Sequence, residues 1–188
     1  MKRHLGFLLV LPFLAAAPIC AVAGTWSLGP NVGFSLLSSQ NSTQTVVGLP
    51  GDVVGYMPGL RIGFLKRGAP TEYFLDTGLS YFSSAGNSYR TFQGSGNMQF
   101  NFARRTSTGA YMTAGLGFWS LSQGSGNTST SSTVPSMGAG LGARHFLRNG
   151  HGALRGEMRL DHYFEDQNGG LAAFNATSFK FGFDLWMR

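Results

Sequence analysis

The sequence predicts an all-β protein whose antiparallel strands close into a barrel, and three observations lead to this prediction. The last stretch, residues 179–187, alternates strictly between apolar side chains and the group Lys180, Gly182, Asp184 and Trp186. Because successive side chains of a strand point to opposite faces, this period of two predicts a strand. Similar alternating segments recur along the chain between turn-rich stretches. Glycine supplies 28 of the 188 residues, and few runs favour a helix.

Residues 1–23 are predicted to be a cleaved signal peptide. The chain begins with basic residues, continues with an apolar run and then places the small residues Ala21-Val22-Ala23. This is the layout of a secretory signal with an A-x-A cleavage site, and two prolines interrupt the apolar run that a transmembrane helix would need. Residues 24–188 are then one barrel domain without cysteine. Two basic residues leave with the signal, which lowers the net charge from +6 to +4.

Composition argues against several classes of function. The chain is basic, yet it has no basic helix and no stripe of basic and aromatic residues, so nucleic-acid binding is not expected. No histidine and cysteine cluster has metal-binding spacing, and no glycine run precedes a helix to hold phosphate, so no metal or cofactor is predicted. No apolar run of about 18 residues follows the signal, and any membrane spans must therefore be strands.

Seven alternating segments precede the final one, and each divides into an apolar face and a face of small, polar or charged residues. In chain order they lie at about 25–37, 54–65, 71–82, 89–102, 110–121 and 134–147, and between a turn at 148–152 and Phe164. The segment at 89–102 divides most cleanly, with Phe92, Met98 and Phe100 at even positions and serine, glutamine and asparagine at odd ones. Eight is an even number of strands, which allows an antiparallel sheet to close without exposed edges.

The connections between these segments alternate in length. Lys66–Pro70, Arg104-Arg105 and Arg148–Gly152 are predicted to be short turns, whereas residues 39–52, 122–133 and 165–173 are predicted to be longer loops. Outer-membrane barrels place short turns in the periplasm and longer loops outside the cell. The run at 122–133 consists largely of serine, threonine and glycine, and its composition predicts a flexible loop.

The polar face carries charges of both signs in equal number. By the same parity it holds Arg61, Arg144, Arg155, Arg159 and Lys180 together with Glu72, Asp76, Glu157, Asp161 and Asp184. An eight-stranded barrel leaves an interior only wide enough for side chains, and an unpaired charge there costs several kcal/mol. We therefore expect these residues to form a charge-paired network that keeps the lumen largely closed.

Two folds found in soluble proteins compete with this interpretation. Gly24-Thr25-Trp26 matches the short G-x-W signature of lipocalins, but a lipocalin needs an apolar cup where this sequence would place ten charges. In a soluble monomer the phenylalanine-rich face would be exposed to water over a large area. A β-sandwich would instead use the outward aromatic residues as its core. In a membrane barrel those aromatics form girdles at the two lipid–water interfaces. They include Trp26, Tyr56, Tyr73, Tyr81, Phe92, Phe102, Phe118 and Phe164.

The C-terminal strand resembles the assembly signal of small outer-membrane barrels of the OmpA/OmpX type, also called porin-like or opacity-type barrel proteins. In that signal a polar residue, a glycine, an apolar residue and a final aromatic residue recur, and Lys180, Gly182, Leu185 and Met187 occupy the matching positions. Met187 replaces the usual aromatic residue, and Arg188 follows it. The resemblance implies a location in the outer membrane of a Gram-negative bacterium. It also implies contact with outer-membrane lipids and lipopolysaccharide, and recognition by the barrel-assembly machinery.

The resemblance further implies a structural, adhesive or surface-interaction role, with loops 39–52 and 122–133 as candidate surfaces for an extracellular partner. A narrow passive pore for ions or very small solutes is the alternative. A lipid-A-modifying enzyme is a third possibility, since some barrels of this size deacylate lipid A with a His-x-Ser pair. His145-Phe146-Leu147 and His162-Tyr163-Phe164 lack that serine, so no catalytic residues and no enzymatic activity are predicted.

Overall fold

The computed structural model describes residues 24–39, 45–48, 58–84, 87–102, 107–125, 128–148, 151–166 and 171–187. The predicted signal peptide lies outside these residues, as do most of the predicted loop at 39–52 and the arginine pair of the second predicted turn. No helix within the described part of the chain is long and apolar enough to cross a membrane.

The described residues form nine strands. They are β1 (Gly24–Ser39), β2 (Thr45–Gly48), β3 (Gly59–Lys66), β4 (Thr71–Ser84), β5 (Asn87–Asn101), β6 (Thr108–Ser125), β7 (Thr128–Phe146), β8 (Gly152–Tyr163) and β9 (Phe174–Met187). Every paired strand is antiparallel to its neighbour, and β1 also pairs with β9, which closes the sheet.

Strands β2 and β3 share one position in the barrel wall. β2 pairs with the end of β1, from Ser35 to Ser38, and β3 pairs with its beginning, from Gly24 to Asn31. The wall therefore has eight strand positions, which confirms the predicted eight-stranded antiparallel up-and-down barrel. The prediction for the second strand was wrong in its bounds, because β3 begins at residue 59 and a separate short strand lies inside the predicted loop.

The barrel closes with a stagger that keeps each face of the sheet consistent. Following paired residues once around the wall from Ser27 on β1 leads back to β1 at Leu37, a shift of 10 residues. An even shift leaves every inward position inward, because side chains alternate with a period of two. In barrels such a stagger accompanies a strand tilt of about 40°.

The first predicted turn is confirmed as a tight turn between β3 and β4. The Ala69 backbone N–H donates to the Lys66 carbonyl at 3.0 Å. Gly68 has φ of 77°, a left-handed conformation that glycine adopts without a steric penalty. This turn and the one between β7 and β8 lie at the same end of the barrel as the start of β1 and the end of β9. We call this the turn end and the opposite one the loop end.

The prediction of a flexible loop at 122–133 was wrong. β6 extends to Ser125 and β7 begins at Thr128, and the two strands pair without interruption up to that point. Across this ribbon the Thr133 hydroxyl donates to the Ser120 hydroxyl at 2.9 Å. Serine and threonine resemble a linker by composition, but threonine favours strands, and pairing along β6 and β7 satisfies the backbone donors and acceptors.

Candidate functional site

The distribution of polar and apolar side chains is inverted relative to a water-soluble protein. Among the described residues, seven hydrophobic side chains are buried, against nineteen polar or charged ones. Large apolar side chains cover the outside instead, and Leu116 and Leu141 near mid-barrel are 64% and 60% exposed. Soluble monomers rarely expose apolar patches beyond a few hundred Å². This exterior is therefore suited to lipid, and the polar side chains face the lumen.

Aromatic residues lie toward both ends of this apolar belt. Near the turn end, Trp26 packs against Phe64 with ring centroids 5.0 Å apart. Near the loop end, Phe92 packs against Phe118 at 5.5 Å. The other outward aromatics named from the sequence that are exposed here are Tyr73, Tyr81, Phe102 and Phe164, whereas Tyr56 lies outside the described residues. Aromatic side chains at these levels match the interfacial girdles of membrane barrels.

Glu72 is the centre of a network that fills the turn end of the lumen. Its carboxylate accepts hydrogen bonds from Arg61 at 3.1 Å and from Arg144 at 2.8 Å. Gln99 accepts from Arg61 at 2.8 Å and donates to Glu72 at 3.4 Å. Glu72, Arg61 and Gln99 have no solvent exposure. The structure thus brings together, across the bore, residues far apart in sequence.

Asp184 extends this network to the last strand. Arg144 lies 3.6 Å from Asp184, and the Arg155 guanidinium donates to the same carboxylate at 3.3 Å. Arg144 also lies over the ring of Trp186, 5.0 Å from the ring centroid. The Arg144 charge is therefore surrounded by the Glu72 and Asp184 carboxylates and by an aromatic face. Five charged residues, three cationic and two anionic, thereby occupy the turn half of the lumen.

Several aromatic side chains also lie inside the barrel, and the sequence reasoning overlooked them. The Arg61 guanidinium lies over the Phe74 ring, 3.5 Å from its centroid. Phe74 is 3% exposed and Trp119 is 5% exposed. A signal was available, because Phe74 stands between Glu72 and Asp76 on the same face of β4 and Trp119 follows the inward parity of β6.

Inward glycines provide the space in which the long lumen side chains lie against the wall. A β-carbon at Gly63 would lie 2.6 Å from a Glu72 carboxylate oxygen, and one at Gly140 would lie 2.9 Å from that of Glu157. The same close approach occurs for Gly138 beside Asp161, Gly142 beside Tyr111 and Gly182 beside Arg155. The alternating glycines of β7 are therefore needed for packing, because a side chain at one of them would displace Asp161, Glu157 or Tyr111 inside the barrel.

The remaining predicted lumen residues lie nearer the middle of the barrel. Lys180 donates to Asp76 at 3.4 Å, and Arg159 donates to Asp161 at 2.7 Å. Glu157 is bound by hydroxyl groups. Thr113 donates to Glu157 at 2.9 Å, and Tyr111 donates to it at 3.3 Å. Of the ten predicted residues, nine are buried and Asp161 is intermediate in exposure.

Above these pairs, the loop half of the lumen contains a cavity. Its volume of about 40 Å³ is enough for about three water molecules. Polar side chains line it, including Ser35, Ser178 and Asp76, while Trp119 and Tyr163 border it toward the loop end. Tyr163 stacks on Phe174 with centroids 4.5 Å apart, and Trp119 meets Phe174 edge-on at 5.8 Å. The lumen thus has a filled turn half and a small polar cavity under aromatic rings.

The histidines considered for catalysis lie on the outer surface. His145 Nδ1 and the Thr108 hydroxyl are 2.7 Å apart, and His162 Nδ1 lies 2.7 Å from the Asn175 side-chain oxygen. Within the described residues, no group of three or more histidine, cysteine or acidic side chains could hold a metal ion.

Lys180 and Gly182 of the predicted assembly signal face the lumen, whereas Leu185 and Met187 are 51% and 54% exposed on the lipid side. Gly182 lies beneath the Arg155 guanidinium. From Ser178 to Met187 the last strand has an apolar face toward lipid and a lumen face that is polar or small except for Trp186. Arg188 lies outside the described residues.

Comparison with known proteins gives matches in structure only: no protein-family model and no curated protein sequence matches the chain. Neisserial surface protein A superposes with a TM-score of 0.66 and 12% identity, covering 86% of this chain and 96% of that one. Ail, the attachment invasion locus protein of Yersinia pestis, superposes with a TM-score of 0.54 and 9% identity, covering 87% of this chain and 99% of that one. Outer membrane protein H of Pseudomonas aeruginosa superposes with a TM-score of 0.53 and 16% identity, covering 88% of this chain and 100% of that one. The chain therefore has the fold of small outer-membrane β-barrels, as the resemblance predicted.

Proposed function

We propose that this protein is an integral outer-membrane barrel of a Gram-negative bacterium and that it acts, without catalysis, as a surface-interaction protein. The observation that carries the proposal is the combination of a lipid-suited exterior with a paired β6–β7 ribbon at the loop end. Residues 120–125 and 128–133 of this ribbon lie beyond the last pair between β7 and β8, which joins Ser136 to Tyr163. Ser129, Thr130 and Ser131 are exposed there.

An ordered ribbon suits recognition better than a flexible loop, because less conformational entropy is lost when a partner binds. Hydroxyl groups on such a ribbon offer hydrogen-bond donors and acceptors without net charge. Ail is named as an attachment invasion locus protein, and one of its structures is a complex with a heparin analogue. This supports the view that a barrel of this fold can serve as a scaffold for attachment.

The membrane location is tested by expressing the chain with residues 1–23, isolating outer membranes and comparing gel migration with and without boiling. A closed barrel resists detergent and migrates faster when unboiled. Recovery as a soluble periplasmic protein without a mobility shift would contradict the membrane location.

The interaction role is tested in a non-adherent host bacterium that displays the protein. Residues 123–130 are replaced by an Asn-Gly turn, which suits the two-residue connection then required between the paired Ser122 and Ser131. We expect adherence to an epithelial monolayer to rise with the wild-type chain and to return to the empty-vector level with the shortened ribbon. The heat-modifiable band of the variant serves as the folding control. No gain in adherence with the wild-type chain would leave a structural role only.

A narrow passive channel is the second candidate, and the cavity in the loop half of the lumen favours it. The Glu72 network obstructs the turn half, so we expect only rare, low-conductance openings in a planar bilayer. Regular conductance steps in the wild-type protein would instead support the channel. A third candidate, modification of lipid A, predicts a mass change in lipid A from cells that express the protein.

A further inference from the structure

The charges outside the lumen are distributed unevenly between the two ends of the barrel. Removing the ten lumen residues leaves, within 24–188, the basic residues Lys66, Arg67, Arg90, Arg104, Arg105, Arg148 and Arg188 and the acidic residues Asp52, Glu165 and Asp166. Among the described members, Lys66 ends β3 and Arg67 and Arg148 lie in turns, all at the turn end, whereas Arg90, Glu165 and Asp166 lie at the loop end. The ten lumen charges cancel, so the net positive charge of residues 24–188 comes from the residues outside this set.

We call Lys66, Arg67 and Arg148 the basic collar. All three side chains are exposed. Lys66 is the last residue of β3 and Arg67 follows it in the turn to β4, whereas Arg148 lies in the turn between β7 and β8. These turns are four strand positions apart in a wall of eight, on opposite sides of the barrel. A layer of negative charge that surrounds the barrel can contact both sides at once, whereas one compact partner docked at a single point cannot.

The collar also lies at the depth of lipid headgroups. Phe64 packs on Trp26 in the aromatic girdle of the turn end, and Lys66 follows Phe64 by two residues on the same strand. Two residues of a strand span about 7 Å, so Lys66 extends from the interface into the headgroup layer. Lysine and arginine side chains at such a level direct their charged ends toward phosphate groups.

We propose that the basic collar binds the phosphate groups of anionic phospholipids in the membrane leaflet at the turn end. The inference rests on the membrane location proposed above. Each lysine or arginine near an anionic leaflet contributes a preference of about fivefold, and the guanidinium of arginine can bind phosphate through two parallel hydrogen bonds. The collar thereby gives the turn end a lipid selectivity that the loop end lacks, and it favours one orientation of the barrel.

Trp26 provides a built-in reporter for this selectivity. It is 53% exposed toward lipid, whereas Trp119 and Trp186 are buried inside the barrel. It pairs with Phe64, two residues from Lys66, and therefore senses the lipid next to the collar. The protein is refolded into phosphatidylcholine vesicles containing increasing fractions of either brominated phosphatidylglycerol or brominated phosphatidylcholine, whose bromine atoms quench tryptophan fluorescence at short range. A Trp26→Phe variant supplies the background from the buried tryptophans.

We expect brominated phosphatidylglycerol to occupy the site beside Trp26 about fivefold more strongly than brominated phosphatidylcholine, and less strongly in high salt. The double variant Lys66→Gln/Arg67→Gln should reduce this ratio to about one, whereas Arg90→Gln, which removes one positive charge at the loop end, should leave it unchanged. Equal quenching by the two lipids in the wild-type protein would overturn the inference, as would a preference that survives the double variant. A chain that folds into neither vesicle would instead refute the membrane location itself.

Discussion

The substitution Glu72→Gln examines the lumen network at its centre. The Glu72 carboxylate accepts from Arg61 at 3.1 Å and from Arg144 at 2.8 Å, and none of its surface is exposed. Glutamine keeps the shape and one acceptor oxygen but removes the negative charge. The turn-half cluster would then hold three cations, Arg61, Arg144 and Arg155, against the single carboxylate of Asp184.

The expected loss follows from the energetics of buried ion pairs. Removing one partner of such a pair costs about 3–5 kcal/mol, mainly because the remaining charge is left without compensation. Since glutamine retains part of the hydrogen bonding, we expect the free energy of unfolding to fall by about 3 kcal/mol. Equilibrium unfolding in urea, with the barrel in lipid vesicles and boiled-versus-unboiled gel migration as the readout, measures this difference.

A second substitution separates charge imbalance from general damage. In the Glu72→Gln background, Arg144→Gln removes one of the uncompensated cations. The double variant should recover part of the lost stability, which gives a coupling energy of about 1 kcal/mol or more. A loss below about 0.5 kcal/mol for Glu72→Gln, or simple additivity in the cycle, would refute the view that these residues depend on one another.

Three further substitutions test the lipid face, the glycine positions and the mid-barrel pair. Leu116→Arg places a charge on the lipid face near mid-barrel and should reduce stability in a bilayer by about 2–4 kcal/mol; an unchanged urea midpoint would argue against lipid at this surface. Gly142→Ala, inward against the Tyr111 ring, should cost about 1–3 kcal/mol in the same titration, whereas the control Gly156→Ala, whose added β-carbon would lie 3.9 Å from Phe181, should be nearly neutral. Arg159→Ala should lower the melting temperature in detergent because Asp161 loses its partner at 2.7 Å, and an unaltered melting temperature would show that this pair adds no stability.

The alternation of side chains was enough to predict the fold and the face of the wall on which each charged residue lies. In an antiparallel barrel with an even stagger, parity alone assigns each residue of a strand to the lipid or the lumen, so the ten charges could be placed inside from the sequence. The same rule would have placed Phe74 and Trp119 inside, but attention to charge left these aromatics out. The tight turn containing Gly68 was predictable because its residues favour a turn locally.

Strand ends depended on pairing rather than on composition. The serine- and threonine-rich stretch of β6 and β7 has no apolar alternation at its tip, yet each strand provides the backbone partners of the other. Likewise, β2 forms because the end of β1 offers an edge that β3 does not reach. Neither effect is visible in a single segment considered alone.

The sequence by itself determined the class of fold and the number of wall positions, because these follow from the number of alternating segments. It also determined the orientation of each face and the balance of charge in the lumen, because these follow from the period of two. Only the tertiary structure decided which charges meet. Glu72 contacts Arg144, 72 residues away, because the stagger of the closed barrel brings β4 and β7 to the same level across the bore. Closure also sets the close approach of Glu72 to Gly63 and of Arg155 to Gly182. Contacts across a barrel depend on the tilt and stagger of the whole wall, and no local pattern of residues contains that information.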